Sequence, residues 1–348
     1  MSRVANPVTS AFRPARGLGN RHLQTFLGSG FRRGRLARRE LARCDATHEE
    51  VTLAAGGDAR LQGIYSRPRA SRSDTLVLLL HGWEGSIDSN YMRLSAALLL
   101  DAGFTVLRLN FRDHGDTYHL NEEMFHSGRI EDVLNAASDA MAHWQPARLV
   151  IAGFSLGGNF ALRTAIHARS TGLPVVQALA VCPPLDPART MDAMEAGWWP
   201  YIRHFEQEWR RSLRRKRELF PQRHGFADAI LKLPLRALTA WMVEAHTDYG
   251  SLDAYFSAYH VDVAALGASG VPVDALMAAD DPVVPLADFD ALAQQANVRL
   301  ELAEHGGHCG FIEDWAMHGY GERWIAERVI ANERGLGQTA RDDDGDPA

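Results

Sequence analysis

At residues 153–157 the chain reads Gly153-Phe154-Ser155-Leu156-Gly157, a serine with a glycine two positions away on either side. A serine hydroxyl is a weak nucleophile until a neighbouring base takes its proton. This spacing suits a serine on a sharp turn from strand to helix. The glycines remove Cβ atoms that would clash there, and the next backbone N–H points at a developing oxyanion. Alone the pattern is weak: with glycine at about 7% of residues, a plain glycine-rich turn reproduces it on the order of one time in ten. Its context is more telling. An apolar strand, 149–153, leads in, and a helical stretch opening on Gly158-Asn159-Phe160 leads out.

Such a serine needs an acid and then a histidine further along the chain. Asp280-Asp281-Pro282-Val283-Val284-Pro285 offers two acids side by side. The D-x-x-V-P spacing favours Asp281; Asp280 is the alternative, and whichever is unused becomes a hydrogen-bonder of the loop or of a cap. Glu304-His305-Gly306-Gly307-His308-Cys309-Gly310-Phe311 offers two histidines. The paired glycines free the loop to bring His308 over the serine, with His305 the alternative. His308 would take the Ser155 proton and return it to the leaving group, while the acid fixes its tautomer. For the oxyanion, His81-Gly82-Trp83-Glu84-Gly85 follows an apolar strand. The backbone N–H groups of Trp83 and Leu156 are the candidate donors. His81 reads as structural, and His114, His119 and His126 as surface or loop-supporting residues.

These residues need a scaffold, and the flanking sequence describes one. Apolar runs at 76–80, 104–109, 149–153 and 175–181 alternate with helical periods at 91–100, 130–144 and 157–168. Continuous apolar strands separated by helices signal a parallel sheet covered on both faces. Upstream, 51–54 and 60–65 flank Gly56-Gly57-Asp58 and read as an antiparallel edge hairpin. After Pro183-Pro184 the alternation stops. Residues 186–262 are helical in composition and read as a cap inserted into a core spanning 49–185 and 263–333. The rhythm resumes with strands at 273–277 and 298–302 and helices near 287–296 and 313–329. Residues 334–348, ending near Asp342-Asp343-Asp344-Gly345-Asp346, lack apolar periodicity and read as a disordered tail.

Residues 1–48 carry ten arginines and only one acid before Asp45, Glu40. This is a basic surface arm in the first instance, with a transit peptide the competing reading. No apolar h-region suggests a secretory signal. Across 348 residues the net charge is −6 with 46% hydrophobic residues, which suits a large core and not a nucleic-acid binder. Cys44, Cys182 and Cys309 are odd in number and show no C-x-x-C spacing. They suggest neither a disulfide framework nor a structural zinc site, and make the cytoplasm the default location. No run approaches the roughly 18 apolar residues of a membrane span. No H-E-x-x-H or comparable spacing points to a catalytic metal, and no cofactor motif appears.

Taken together, the chain resembles the YheT-like branch of the α/β-hydrolases, which is similar to the animal α/β-hydrolase-domain lipases and the yeast medium-chain acyl-ester synthases. The marks of the resemblance are His22-Leu23-Gln24-Thr25, the HGWEGS loop with Tyr91 after it, Asn110-Phe111-Arg112, His126-Ser127-Gly128, GFSLGGN, Pro183-Pro184-Leu185-Asp186, Ala279-Asp280-Asp281-Pro282 and GGHCGF. The resemblance implies an α/β-hydrolase fold and a triad of Ser155, Asp281 and His308. It also implies chemistry on small-molecule acyl esters, sometimes run as acyl transfer to an alcohol. Two departures lie away from the triad: Arg112-Asp113-His114-Gly115 stands where the family has an R-G-C turn, and the edge hairpin lacks the usual D-G pair. A ligand-binding protein without turnover is the reading from another class. In the cap, Trp198 and Trp199 are candidate acyl-chain contacts. The basic run from Arg210 to Arg217 reads as a solvated helix face, or as a contact for anionic lipid.

Overall fold

A computed structural model describes residues 7–343 of the chain. It opens with β1 (Val8–Thr9), α1 (Arg21–Gly28) and α2 (Phe31–Arg43), followed by the hairpin β2 (Ala46–Ala54) and β3 (Arg60–Pro68). Then come β4 (Thr75–Leu80), α3 (Asn90–Asp101), β5 (Thr105–Leu109), α4 (Ile130–Trp144), β6 (Arg148–Phe154), α5 (Leu156–Thr171) and β7 (Val175–Val181). The helices α6 (Pro187–Ala196), α7 (Trp199–Leu219), α8 (Leu235–His246) and α9 (Leu252–Tyr259) interrupt the alternation. α10 (Val263–Ser269), β8 (Val273–Ala278), β9 (Val298–Ala303) and α11 (Tyr320–Asp343) complete it.

Among the described residues the sheet has nine strands in the order β1-β9-β8-β7-β6-β4-β5-β3-β2. Pairing is parallel from β1 through β5, and antiparallel where β3 joins β5 and β2 joins β3. Every residue of β4, β5 and β8 is buried, which is why β4 reads as a continuous apolar run and the other two are apolar but for Arg108 and Asp274 (with Thr105 opening β5). The result is an α/β-hydrolase fold: a mostly parallel central sheet with helices on both faces and a helical insertion between β7 and α10. Among the described residues no helix is long and apolar enough to cross a membrane.

The fold corrects three expectations. The N-terminal arm is not merely a surface extension. β1 adds a parallel edge strand to β9, and Arg33 of α2 is fully buried against Glu322 of α11 at 2.5 Å. The helix expected near 287–296 is a pair of 3₁₀ turns, Leu286–Phe289 and Leu292–Gln294. Its buried Phe289 and Leu292 are three apart, a spacing that serves three residues per turn as well as 3.6. The tail expected to be disordered from 334 is helical as far as Asp343. Glu333 anchors that helix, accepting from Ser73, Thr75 and Arg148. The rest of the expected tail, 344–348, lies outside the described residues, as does the start of the arm, 1–6.

Candidate active site

β6 ends in a tight turn that places Ser155 at φ +52°, ψ −122°, directly before α5. Few non-glycine residues adopt a positive φ, and this one holds the side chain clear of both elements. The flanking glycines are sterically required. A Cβ on Gly153 would lie 2.1 Å from the Gly157 carbonyl oxygen, and one on Gly157 would lie 2.2 Å from that of Leu80.

The loop after β9 brings His308 to this serine, with Nε2 2.8 Å from Ser155 Oγ. The loop after β8 brings Asp281, whose Oδ2 and Oδ1 lie 2.9 and 3.2 Å from His308 Nδ1. Asp281 Oδ1 also accepts the backbone N–H groups of Val283 and Val284. These bonds hold the carboxylate in one orientation in a place only 1% exposed. Burial of His308 opposes its charged form, but the adjacent Asp281 carboxylate outweighs burial, Cys309 adds to it, and the imidazole is held up at about 9.

Asp280 takes a different position. Its Oδ1 accepts the N–H of Gly307, one residue before His308, and its other oxygen lies 3.6 Å from His305 Nδ1. The neighbouring carboxylates thus divide between the imidazole and the loop backbone. His305 is partly exposed beside Asp280.

Leu156 follows β6 and Trp83 follows β4, so both lie beside the serine at the carboxyl ends of adjacent parallel strands. Among the described residues, neither backbone N–H has a hydrogen-bond partner within the protein. The Trp83 loop is braced from below. Gly82 N–H donates to the Tyr91 hydroxyl at 2.9 Å, and fully buried His81 bridges the Gly82 carbonyl and the Phe111 N–H. Burial pushes His81 far below the usual imidazole range, so it is a neutral structural ring. His114 is likewise buried and lowered to about 4, bonded to the Arg112 carbonyl, while His119 is exposed.

Ser155 stands between two chambers. One is mostly apolar, roofed by Met191 and Met194 of α6, Phe205 and Trp209 of α7 and Met242 of α8, with His126 on its wall. Burial lowers His126 to about 3, and the cations Arg129, Arg112 and Arg163 reinforce the shift, so the ring is neutral there. The other chamber is an open cleft between α1 and α7, with Thr25, Phe26, Glu84, Tyr201 and Glu208 along its sides. Glu84 is pushed up to about 7 by burial and hydrogen-bonded to Ser212 of α7 at 2.6 Å.

Trp198 and Trp199, expected to meet the acyl chain, line neither chamber. They are 45% and 63% exposed, with Trp198 packed on His22 at a ring distance of 4.5 Å. The aromatic contact with the core falls about two and three turns later, where Phe205 stacks on Trp83 at 5.3 Å and Trp209 meets the same ring edge-on. The basic run of α7 is also largely spoken for. Arg210, Arg211, Arg215 and Arg217 face Glu206, Glu208, Glu218 and Asp228, and Lys216 is buried against Asp113.

Sequence reasoning singled out His22-Leu23-Gln24-Thr25 without giving it a task. In the structure α1 lies under the His308 loop. His308 N–H donates to Thr25 Oγ1, and Gln24, wholly buried, accepts from Ile312 N–H and donates to the carbonyls of Ile312 and Leu18. Two adjacent polar residues at the start of a short helix were the available signal.

The α/β hydrolase family profile matches residues 77–317, and the chain belongs to that family. The YheT protein of Escherichia coli (strain K12), a candidate esterase by its name, is 27% identical over 338 residues, covering 93% of this chain and 94% of that one. Mouse phospholipase ABHD3 is 22% identical over 274 residues, covering 76% of this chain and 66% of the relative. Among solved structures, an esterase from Pyrobaculum calidifontis superposes with a TM-score of 0.57 at 18% identity, covering 94% of this chain and 95% of that one. At that identity the likeness speaks to the fold.

Proposed function

We propose that the protein hydrolyses carboxylic esters of small molecules through an acyl-serine intermediate. The observation that carries the reading is the unbroken relay from Ser155 Oγ to His308 Nε2 at 2.8 Å and from His308 Nδ1 to Asp281 at 2.9 Å. Ser155 attacks the ester carbonyl as His308 takes its proton. The oxyanion lies against the unpaired N–H groups of Trp83 and Leu156, each such donor stabilising the transition state by about 3–4 kcal/mol. Collapse expels the alcohol, protonated by His308, and water repeats the sequence to release the acid. Residues 186–262 act as the cap, the apolar chamber beneath it takes the acyl chain, and the open cleft takes the alcohol. The names of the relatives, an esterase and a phospholipase, agree with acyl-ester chemistry.

The test is covalent labelling by a fluorophosphonate together with turnover of a p-nitrophenyl ester series. Wild type labels and turns over, and Ser155→Ala does neither. Undiminished labelling of Ser155→Ala overturns the assignment.

A further inference from the structure

The loop that carries His308 places two thiols behind it. Cys182 follows β7 directly and is fully buried, whereas Cys309 follows His308 and borders the open cleft. Both are free cysteines, and both have left-handed backbones, at φ +47° and +57°. Their sulfur atoms and a ring nitrogen of His308 all lie within 4.8 Å of one another.

Two thiolates and an imidazole form a soft-to-borderline donor set, the kind that selects zinc or cadmium over magnesium or calcium. In a tetrahedral zinc site such donors stand about 3.7 Å apart. Side-chain rotation of about 1 Å would therefore close this set, leaving a fourth position for water.

We propose that Cys182, Cys309 and His308 form an inhibitory binding site for a thiophilic divalent cation such as Zn²⁺. The ion displaces two thiol protons and, where His308 is protonated, one ring proton to solvent, and forms two metal–sulfur bonds and one metal–nitrogen bond, with no change of oxidation state. His308 has no spare nitrogen: Nε2 faces Ser155 and Nδ1 faces Asp281. Coordination therefore breaks one of those contacts and removes the base. The cleft beside Cys309 gives the ion its route in.

Binding stands independently of the proposed ester hydrolysis, and inhibition rests on it, so two readouts are needed. Full-length protein, first treated with EDTA, is titrated with CdCl₂ while thiolate-to-cadmium charge transfer is followed in the ultraviolet. The band should saturate near about one equivalent. Cys182→Ala and Cys309→Ala, both small replacements whose folding is checked by circular dichroism, should each weaken binding at least about tenfold, or about 1.4 kcal/mol. In parallel, ZnCl₂ should suppress p-nitrophenyl ester turnover by wild type, EDTA should restore it, and Cys182→Ala should stay active in the same zinc. A band absent from wild type, or undiminished in both variants, overturns the site. A cadmium band with zinc-insensitive turnover overturns the inhibition. Lack of turnover without any metal counts against the hydrolase reading and leaves the cadmium result to decide the site.

Discussion

The backbone N–H of His308 donates to the hydroxyl of Thr25 at 2.9 Å, across a separation of 283 residues. The helix that carries Thr25 lies outside the part of the chain matched by the family profile, yet it sets the height of the candidate base above the serine. Thr25→Val keeps the shape and removes the acceptor. A net hydrogen bond of about 1 kcal/mol corresponds to roughly a fivefold loss in rate. The loss should fall on kcat with KM little changed, and Thr25→Ser should recover it. A change confined to KM would place Thr25 in substrate contact.

Asp281→Asn should lower kcat by about 10⁴-fold, because the amide favours the wrong imidazole tautomer. Asp280→Asn should cost about tenfold or less, since an asparagine oxygen can still accept the Gly307 N–H. Steady-state kinetics of the two variants on one ester settle the ranking; the opposite order would assign the imidazole to Asp280.

Much of this arrangement was legible in the residues. β4 announces itself as an apolar run because both its faces are covered, β8 is apolar but for Asp274, and α4 runs over the residues its periodicity marks. The D-x-x-V-P spacing separates Asp281 from Asp280 because the N–H groups of Val283 and Val284 are what fix the carboxylate. Other features depend on contacts that no local pattern records. A two-residue strand such as β1 has no period to read, and the task of Gln24 lies 288 residues away at Ile312. The tryptophans of α7 show the limit most directly. Amphipathic spacing marks an aromatic face, but not which turn of the helix reaches the core, and it is Phe205 and Trp209 that do, rather than Trp198 and Trp199.

The pH profile follows from His308. The ring must be neutral to accept the Ser155 proton, so activity is lost below its pKa and gained above it. With the imidazole held up at about 9, kcat/KM should rise along one limb with a midpoint near that value and then level. Asp281→Asn removes the main influence that raises the pKa and leaves burial, which lowers it. The His308 titration, followed by NMR of the imidazole, should therefore move downward, below an ordinary histidine at about 6.5. An upward shift would contradict the electrostatic account.

The apolar chamber should set acyl-chain preference. Each methylene withdrawn from water contributes about 0.8 kcal/mol, roughly a fourfold gain in kcat/KM per carbon until the chamber is full. Met242→Trp, which fills space under α8, should shorten the preferred chain and leave an acetyl ester nearly unaffected. Trp198→Ala and Trp199→Ala should not shift the optimum, being outside the chamber. A wild-type profile flat in chain length would show that the acyl group lies elsewhere.

A buried charge pair ties the helical insertion to the loop that follows β5. Lys216 of α7 donates to Asp113 at 2.7 Å, with side chains only 2% and 8% exposed, and also to the carbonyl of Asn121. Burial pushes the lysine down and the aspartate up, the mark of charges taken from water, and each partner's charge works against the other's shift. Breaking such a pair costs more than forming it gains, because the survivor is left charged and dry. Lys216→Met should therefore destabilise the protein by about 3–5 kcal/mol in urea unfolding. Adding Asp113→Asn removes the stranded charge and preserves the acceptor for the Phe125 N–H, so the double variant should recover much of that loss. Its turnover should recover in step, as Phe205 and Trp209 return to Trp83 and close the acyl chamber. Stability restored without turnover would mean that Lys216 orients α7 over Ser155 as well as fastening it.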